Sequence, residues 1–227
     1  MNSIIKVLSD AIYYNLIREQ RYMLFVQGLG ISLQLTFYSA IIGTILGLFL
    51  ALAKLSKIKI FERLATIYVD VIRGTPVVVQ LVIIYYAILG SSSLPKIAVA
   101  SIAFGLNSGA YVCELIRAGI MAVDKGQMEA ARSLGFSYSQ AMTYIIIPQA
   151  VKNILPALVN EFIVLLKETA IAGYIALDDL TRAGNIIRGR TFDAYTPFIL
   201  VAAIYLYITT ILTWMLGKLE RRLRESD

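Results

Sequence analysis

Histidine is absent from the 227 residues, and cysteine occurs once, as Cys113. The first absence excludes a triad base, a histidine-held zinc and an imidazole proton shuttle. The second excludes an intrachain disulfide and a cysteine-cluster metal site. Charge is scarce too: 16% of residues are Asp, Glu, Lys or Arg, where a soluble domain carries about a quarter. No G-x-x-x-x-G-K-S/T loop occurs, so no P-loop nucleotide site is expected. The first residues lack the basic start, long apolar core and small-residue cleavage site of a signal peptide. What the chain has in quantity is apolar surface, with 58% hydrophobic residues. The class left is a single all-α integral membrane domain over residues 1–227.

A hydrocarbon core of about 30 Å takes about 20 apolar helical residues. Charge-free intervals run from Tyr22 to Ala53, from Ile97 to Cys113 and from Ala194 to Gly217. Two further apolar stretches are interrupted by charge, at Asp70 and Arg73 and at Lys152, Glu161, Lys167 and Glu168. Five transmembrane helices are predicted, at about 22–53, 61–89, 95–119, 150–175 and 194–218. Ile4, Ile5, Leu8, Ile12 and Leu16 recur at helical spacing, which predicts an N-terminal amphipathic helix lying in the membrane interface.

Five crossings put the termini on opposite sides. Lys54, Lys57, Lys59, Arg63, Arg117, Lys125, Arg132, Lys152, Lys218, Arg221, Arg222 and Arg224 fall on one side. Lys6, Arg18, Arg21, Lys96, Arg182, Arg188 and Arg190 fall on the other. The more basic side is expected to be cytoplasmic, which leaves the N-terminus outside and the C-terminus inside. The basic residues are scattered over both faces, so a nucleic-acid partner is not expected.

Charged residues inside a membrane are costly and mark function or pairing. Counted along straight helices, Asp70 and Glu161 lie about 15 Å from the cytoplasmic ends and Asn107 about 18 Å from the outer end. All three fall near the midplane, which points to one polar cavity. Arg73 shares a helical face with Asp70, so the two are either an ion pair or separate ligand contacts. Gly74, Thr75 and Pro76 distort the helix there, and freed backbone groups are candidate ligand contacts. Glu161 has no opposite charge within one turn, which favours a cationic ligand. Asn160 beside it suits a neutral amide. Tyr68, Tyr85, Tyr86 and Tyr111 are further candidates for the path, and Gln80 is a weaker one. Gly43 and Gly47 suit helix packing, and Cys113 suits a small core position. The external segment from Asp178 to Asp193 reads as a solvated loop or a docking site.

Between the third and fourth crossings, residues 123–148 carry helix signals. Asp124 and Gly135 bracket one short helix, and Ser137 with Gln140 opens another that ends before Pro148. Glu129-Ala130-Ala131, then Gly135 after three residues, then Ile145-Ile146-Ile147-Pro148 after nine, resembles the EAA signature of ABC-importer permeases. Ile147 stands where Leu is usual. Arg73-Gly74-Thr75-Pro76 looks like the RGTP element of polar-amino-acid importer permeases. Ala103 to Tyr111 and Lys167-Glu168-Thr169-Ala170 are similar to further segments of that family. The similarity covers roughly residues 22–220.

The resemblance implies a five-helix permease that pairs with a second permease chain, identical or related. It implies an extracytoplasmic substrate-binding protein and two cytoplasmic ATPase subunits that carry the ATP and Mg²⁺. Glu129, Ala130, Ala131 and Gly135 would contact the ATPase, and the chain itself would hold no cofactor and catalyse nothing. A prokaryotic inner membrane and import of a polar amino acid are implied as well. From the residues, a basic amino acid (arginine, lysine or histidine) is favoured over a neutral one such as glutamine, with a secondary transporter as the remoter alternative. Glu161, Asp70, Arg73, Gly74, Thr75, Asn107, Asn160 and Tyr68 are the candidate substrate contacts.

Overall fold

The longest charge-free interval folds as the longest helix. In a computed structural model, which describes residue 6 and residues 10–224, α1 runs Tyr22–Leu55. At 1.5 Å per residue it is about 50 Å long, more than a bilayer core needs. Every regular element among the described residues is helical. Of the N-terminal amphipathic helix, Ile4, Ile5 and Leu8 lie outside the described residues. Ile12 is exposed, Leu16 packs against the core, and the buried side chain is polar Asn15.

The expected second crossing is not one helix. It is α2, Lys59–Arg73, and α3, Val77–Val82, which continues as a π-helical turn over Ile83–Ile88. The two are bent by 104°. Gly74 closes α2 by donating its N–H to the Asp70 carbonyl at 2.9 Å. Pro76 has no N–H to continue the ladder, and its extended backbone caps α3 instead.

Pro95 then opens α4, Lys96–Met121. Two short helices follow, α5 (Lys125–Ser133) and α6 (Tyr138–Ala141). The second was expected to stop before Pro148, yet it runs through the π-helical turn Met142–Ile146 into α7, Ile147–Glu168. The Ile147 N–H bonds to the Met142 carbonyl. That wider turn gives the Pro148 ring room beside the preceding backbone, so the helix does not break. α7 ends at Glu168 and tightens into 3₁₀ geometry over Thr169–Ile175.

The segment read as a loop, 178–193, contains α8, Leu180–Thr191. Asp179 caps it, and Leu180, Ala183, Gly184 and Ile187 bury one face at helical spacing. α9, Thr196–Arg224, completes the chain. Three helices, α1, α4 and α9, are long and apolar enough to cross a membrane, and the bent α2–α3 pair makes a fourth if taken as one span. α7 carries Lys152, Glu161, Lys167 and Glu168 and falls short of that apolarity.

Lipid tails are as apolar as leucine, so helices in a bilayer associate through close packing rather than water exclusion. The α1–α4 seam does this with small residues. A Cβ on Gly43 would sit 2.9 Å from the Ser108 Cβ, and one on Gly47 would sit 2.5 Å from Val112 Cγ1. α4 is the central helix, with Ala100, Phe104, Ala110 and Cys113 fully buried. Its N-terminal half packs with α3 and the 3₁₀ segment around Phe104, and its C-terminal half with α2 and α7 around Cys113.

Candidate functional site

Three successive residues of α4 tie three other helices at one level. The Tyr68 hydroxyl of α2 donates to the Leu106 carbonyl at 2.9 Å. The Asn107 Nδ2 donates to Gln80 Oε1 of α3 at 3.0 Å. The Ser108 hydroxyl donates to Glu161 Oε1 of α7 at 3.0 Å. Successive helical side chains point about 100° apart. Tyr68, Asn107 and Glu161 are therefore gathered around one turn from different sides, rather than into a single pocket.

The break between α2 and α3 is closed by its own neighbours. Gln80 Nε2 donates to the Ile72 carbonyl at 2.7 Å, the Thr75 carbonyl at 3.1 Å and Thr75 Oγ1 at 2.8 Å. Thr75 Oγ1 in turn donates to the Val71 carbonyl at 2.9 Å. The carbonyls of 71, 72 and 75 at the break thus have protein donors. The Gly74 Cβ position would lie 2.8 Å from the Asp70 carbonyl, so the tight turn fits glycine best.

Asp70 and Arg73 do not form the ion pair that was one of their two readings. Among the described residues, neither has a carboxylate or cation partner within ion-pair distance. The Arg73 guanidinium instead lies over the Tyr111 ring, 5.2 Å from its centroid. Both residues are exposed, as are Asn160 and Lys167, while Glu161 and Glu168 are half-buried. Among the described residues, Glu161 has one hydrogen-bond partner, Ser108, and no ion-pair partner.

At the other end of α4, the helical hairpin is built from caps. Asp124 accepts from the Gly126 N–H at 2.6 Å. Gly135 has φ +88°, and the Phe136 and Gly135 N–H groups bond to the carbonyls of Ala131 and Arg132, the double closure of a Schellman turn. Ser137 and Gln140 cap each other reciprocally. Ala131 is buried, in a helix that packs on the hairpin's second arm, whereas Glu129 and Ala130 are exposed. Leu134, at the tip, is 78% exposed. Nearby, Glu114 bridges Lys54 at 2.6 Å and Arg117 at 2.7 Å, which joins the ends of α1 and α4.

Two carboxylates in the α8 region are tuned in opposite directions. Asp179 is wholly buried and accepts from the Thr181 and Arg182 N–H groups at 2.9 and 3.2 Å. Burial pushes its carboxyl up to about 6 despite those bonds. Hydrogen bonds from Thr196, with help from Tyr195 and Asn15, hold Asp193 at about 2.

Sequence reasoning passed over Ser108 and gave Gln80 little weight. Ser108 reads as one more small residue in a packing helix. Gln80 follows Pro76 by four residues, and a lone amide one turn past a helix break is a signal for closing it.

The helical layout, the broken second segment and the capped hairpin together define a membrane permease. The family model for the inner membrane component of binding-protein-dependent transport systems matches residues 43–225, and the chain belongs to that family. It is a permease subunit rather than an enzyme, and ATP hydrolysis belongs to separate ATPase subunits. The chain is 44% identical over 204 residues to the arginine transport system permease protein ArtQ of Bacillus subtilis (strain 168), covering 89% of this chain and 93% of that one. It is 39% identical over 201 residues to the putative glutamine transport system permease protein GlnP of Rickettsia conorii (strain ATCC VR-613 / Malish 7), with coverages of 87% and 92%. A chain in the crystal structure of an amino acid ABC transporter with histidines superposes with a TM-score of 0.86 at 49% identity, over 91% of this chain and 97% of that one.

Proposed function

We propose that this chain is the permease subunit of an ATP-driven importer for a basic amino acid of the arginine type. The observation that carries the reading is Glu161, a half-buried carboxylate on α7 with a hydroxyl partner and no described cation. An acid so placed favours a ligand that brings its own positive charge. Arg73, free of any described carboxylate, offers the matching site for an amino acid's α-carboxylate, and Asp70 one for its ammonium group. Similarity to an arginine permease agrees with this.

The charged and amide side chains Asp70, Arg73 and Asn160 stand exposed on a single chain. Facing lipid they would be costly, so a second permease chain, identical or related, covers them and completes the path. Five spans are proposed, with α7 and its 3₁₀ extension as the fourth crossing, shielded by that partner. The N-terminus is outside and the C-terminus cytoplasmic in a prokaryotic inner membrane. The hairpin, through Glu129, Ala130, Ala131 and Gly135, docks on one of two cytoplasmic ATPase subunits that hold ATP and Mg²⁺. Because the hairpin's second arm continues into α7, a push on it reaches Glu161 along one helix. A substrate-binding protein delivers the amino acid from outside.

Asn160 supports a second reading, a neutral amide ligand such as glutamine. The test compares arginine and glutamine binding to the purified permease–ATPase complex, with the native chain and with Glu161→Gln. Arginine preference that disappears in the variant is the expected result. Glutamine preference unaffected by the change would make Glu161 structural and select the neutral ligand.

A further inference from the structure

The charged stripe of α2 extends well below the break. At about 100° per residue, Lys59, Glu62, Arg63, Thr66, Asp70 and Arg73 fall within one arc of roughly 100° around the helix. All are exposed except half-buried Thr66. Among the described residues, none of these five charges enters an ion pair. Ala65 and Val69 are buried and seat α2 on the bundle. On the other flank Ile60, Phe61, Leu64 and Val71 are 51% to 57% exposed. The helix therefore has two open flanks of opposite character. Lipid suits the apolar flank, but Asp70 and Arg73 at membrane depth belong against a water-filled passage, and Lys59, Glu62 and Arg63 carry the stripe from there to the cytoplasmic end of the helix. At its lower end the stripe borders an open groove of about 690 Å³ whose described lining, Lys59, Ile60, Glu62, Arg63, Thr66 and Ile67, comes from α2 alone.

We propose that this flank is the cytoplasmic exit lane for the transported amino acid, with a zwitterion-binding subsite formed by Glu62, Arg63, Thr66 and Lys59. The inference rests on the permease reading above and adds a second station on its route. The chemistry of the upper level is repeated below: Asp70 and Arg73 offer one sign each, and so do Glu62 and Arg63. The two carboxylates are about 12 Å apart along the helix. A leaving ligand's carboxylate passes from Arg73 to Arg63 and Lys59, and its ammonium group from Asp70 to Glu62, with the Thr66 hydroxyl between. Conduction needs sites weak and numerous enough to be left, and exposed single-charge contacts of this kind meet that need.

The test uses the full permease–ATPase complex in inside-out vesicles, with Cys113→Ser as the parent. Glu62→Cys, Thr66→Cys, Phe61→Cys and Leu64→Cys are each treated with a charged, membrane-impermeant thiol reagent. The Glu62→Cys and Thr66→Cys variants should label, and arginine should suppress that labelling. The Phe61→Cys and Leu64→Cys variants should stay unlabelled. Equal labelling of both flanks, a silent Thr66→Cys variant, or labelling that arginine leaves unchanged would overturn the exit lane. ATP-dependent arginine uptake by whole cells carrying the parent is read in parallel. If uptake persists while the labelling pattern fails, the exit lane alone falls; if arginine is not taken up, the arginine-importer reading falls with it. A separate Glu62→Gln variant should lower uptake of arginine and glutamine alike, because both carry the ammonium group, and unchanged uptake would remove Glu62 from the subsite.

Discussion

Along the α1–α4 seam, Gly43 and Gly47 let two helices touch through Ser108, Gly109 and Val112. Along α2, by contrast, five charges stand without a described ion-pair partner, and only Ala65 and Val69 are buried. The seam is filled to contact and leaves no room for a ligand. The α2 flank is open and electrically unbalanced until something else covers it. A membrane protein that moves cargo needs both: a rigid pair of helices as a frame, and a polar surface whose partners change. The turn 106–108 of α4 lies between the two, because Ser108 meets Gly43 on one side and Glu161 on another.

The largest effect should come from breaking the seam. Gly47→Val would force a branched side chain into Val112 and the Cys113 backbone, and overpacking of this kind costs about 3 kcal/mol. A lower Tm of the purified chain and poor recovery of the complex are expected. Gly30→Val, where nothing lies within 4 Å, should leave both unchanged and so sharpen the contrast.

Next is the break itself. Gln80→Leu strips donors from the Ile72 and Thr75 carbonyls and an acceptor from Asn107. A loss of about 2 kcal/mol is expected, read as a fall in Tm. Gln80→Glu keeps the acceptor alone and should be no better.

A pH effect follows from Asp179. Its folded value of about 6 lies above the ordinary 3.8, so the folded chain holds that proton more tightly than the unfolded one. The added stability is fully present below 3.8 and is lost as pH rises through about 6, at a slope of up to about 1.4 kcal/mol per pH unit. Thermal unfolding of the Asp179→Asn chain, which keeps one of the two accepting oxygens, should lack that slope between these values.

The smallest effect belongs to the hairpin. Ser137→Ala removes half of the reciprocal cap and should cost about 1 kcal/mol locally. Faster hydrogen exchange over residues 138–146, with global Tm nearly unchanged, is the expected signature.

Charge-free runs set by Lys and Arg made α1, α4 and α9 legible, because a bilayer core accepts little else. The hairpin caps were legible too, since Asp124, Gly135 and the Ser137–Gln140 pair act within a few residues. α8 was missed, although Asp179 followed by Leu180, Ala183, Gly184 and Ile187 is a capped amphipathic pattern; its Arg182, Arg188 and Arg190 made the segment look like a loop. Glu161, Arg73 and Asp70 could be singled out from their rarity in apolar stretches. Their partners could not, because Ser108 and Tyr111 lie on another helix.

By itself the sequence determined where helices start and stop, that the chain is a membrane protein, and which ionisable groups lie within apolar stretches. These depend on spacing along the chain and on the cost of charge in hydrocarbon. Only the tertiary structure decided that α2 and α3 turn by 104°, that Gln80 takes up the carbonyls freed at that turn, and that Arg73 rests on Tyr111 rather than on Asp70. Those outcomes depend on which side chains from distant helices reach the same place, and on how closely glycines let the helices approach.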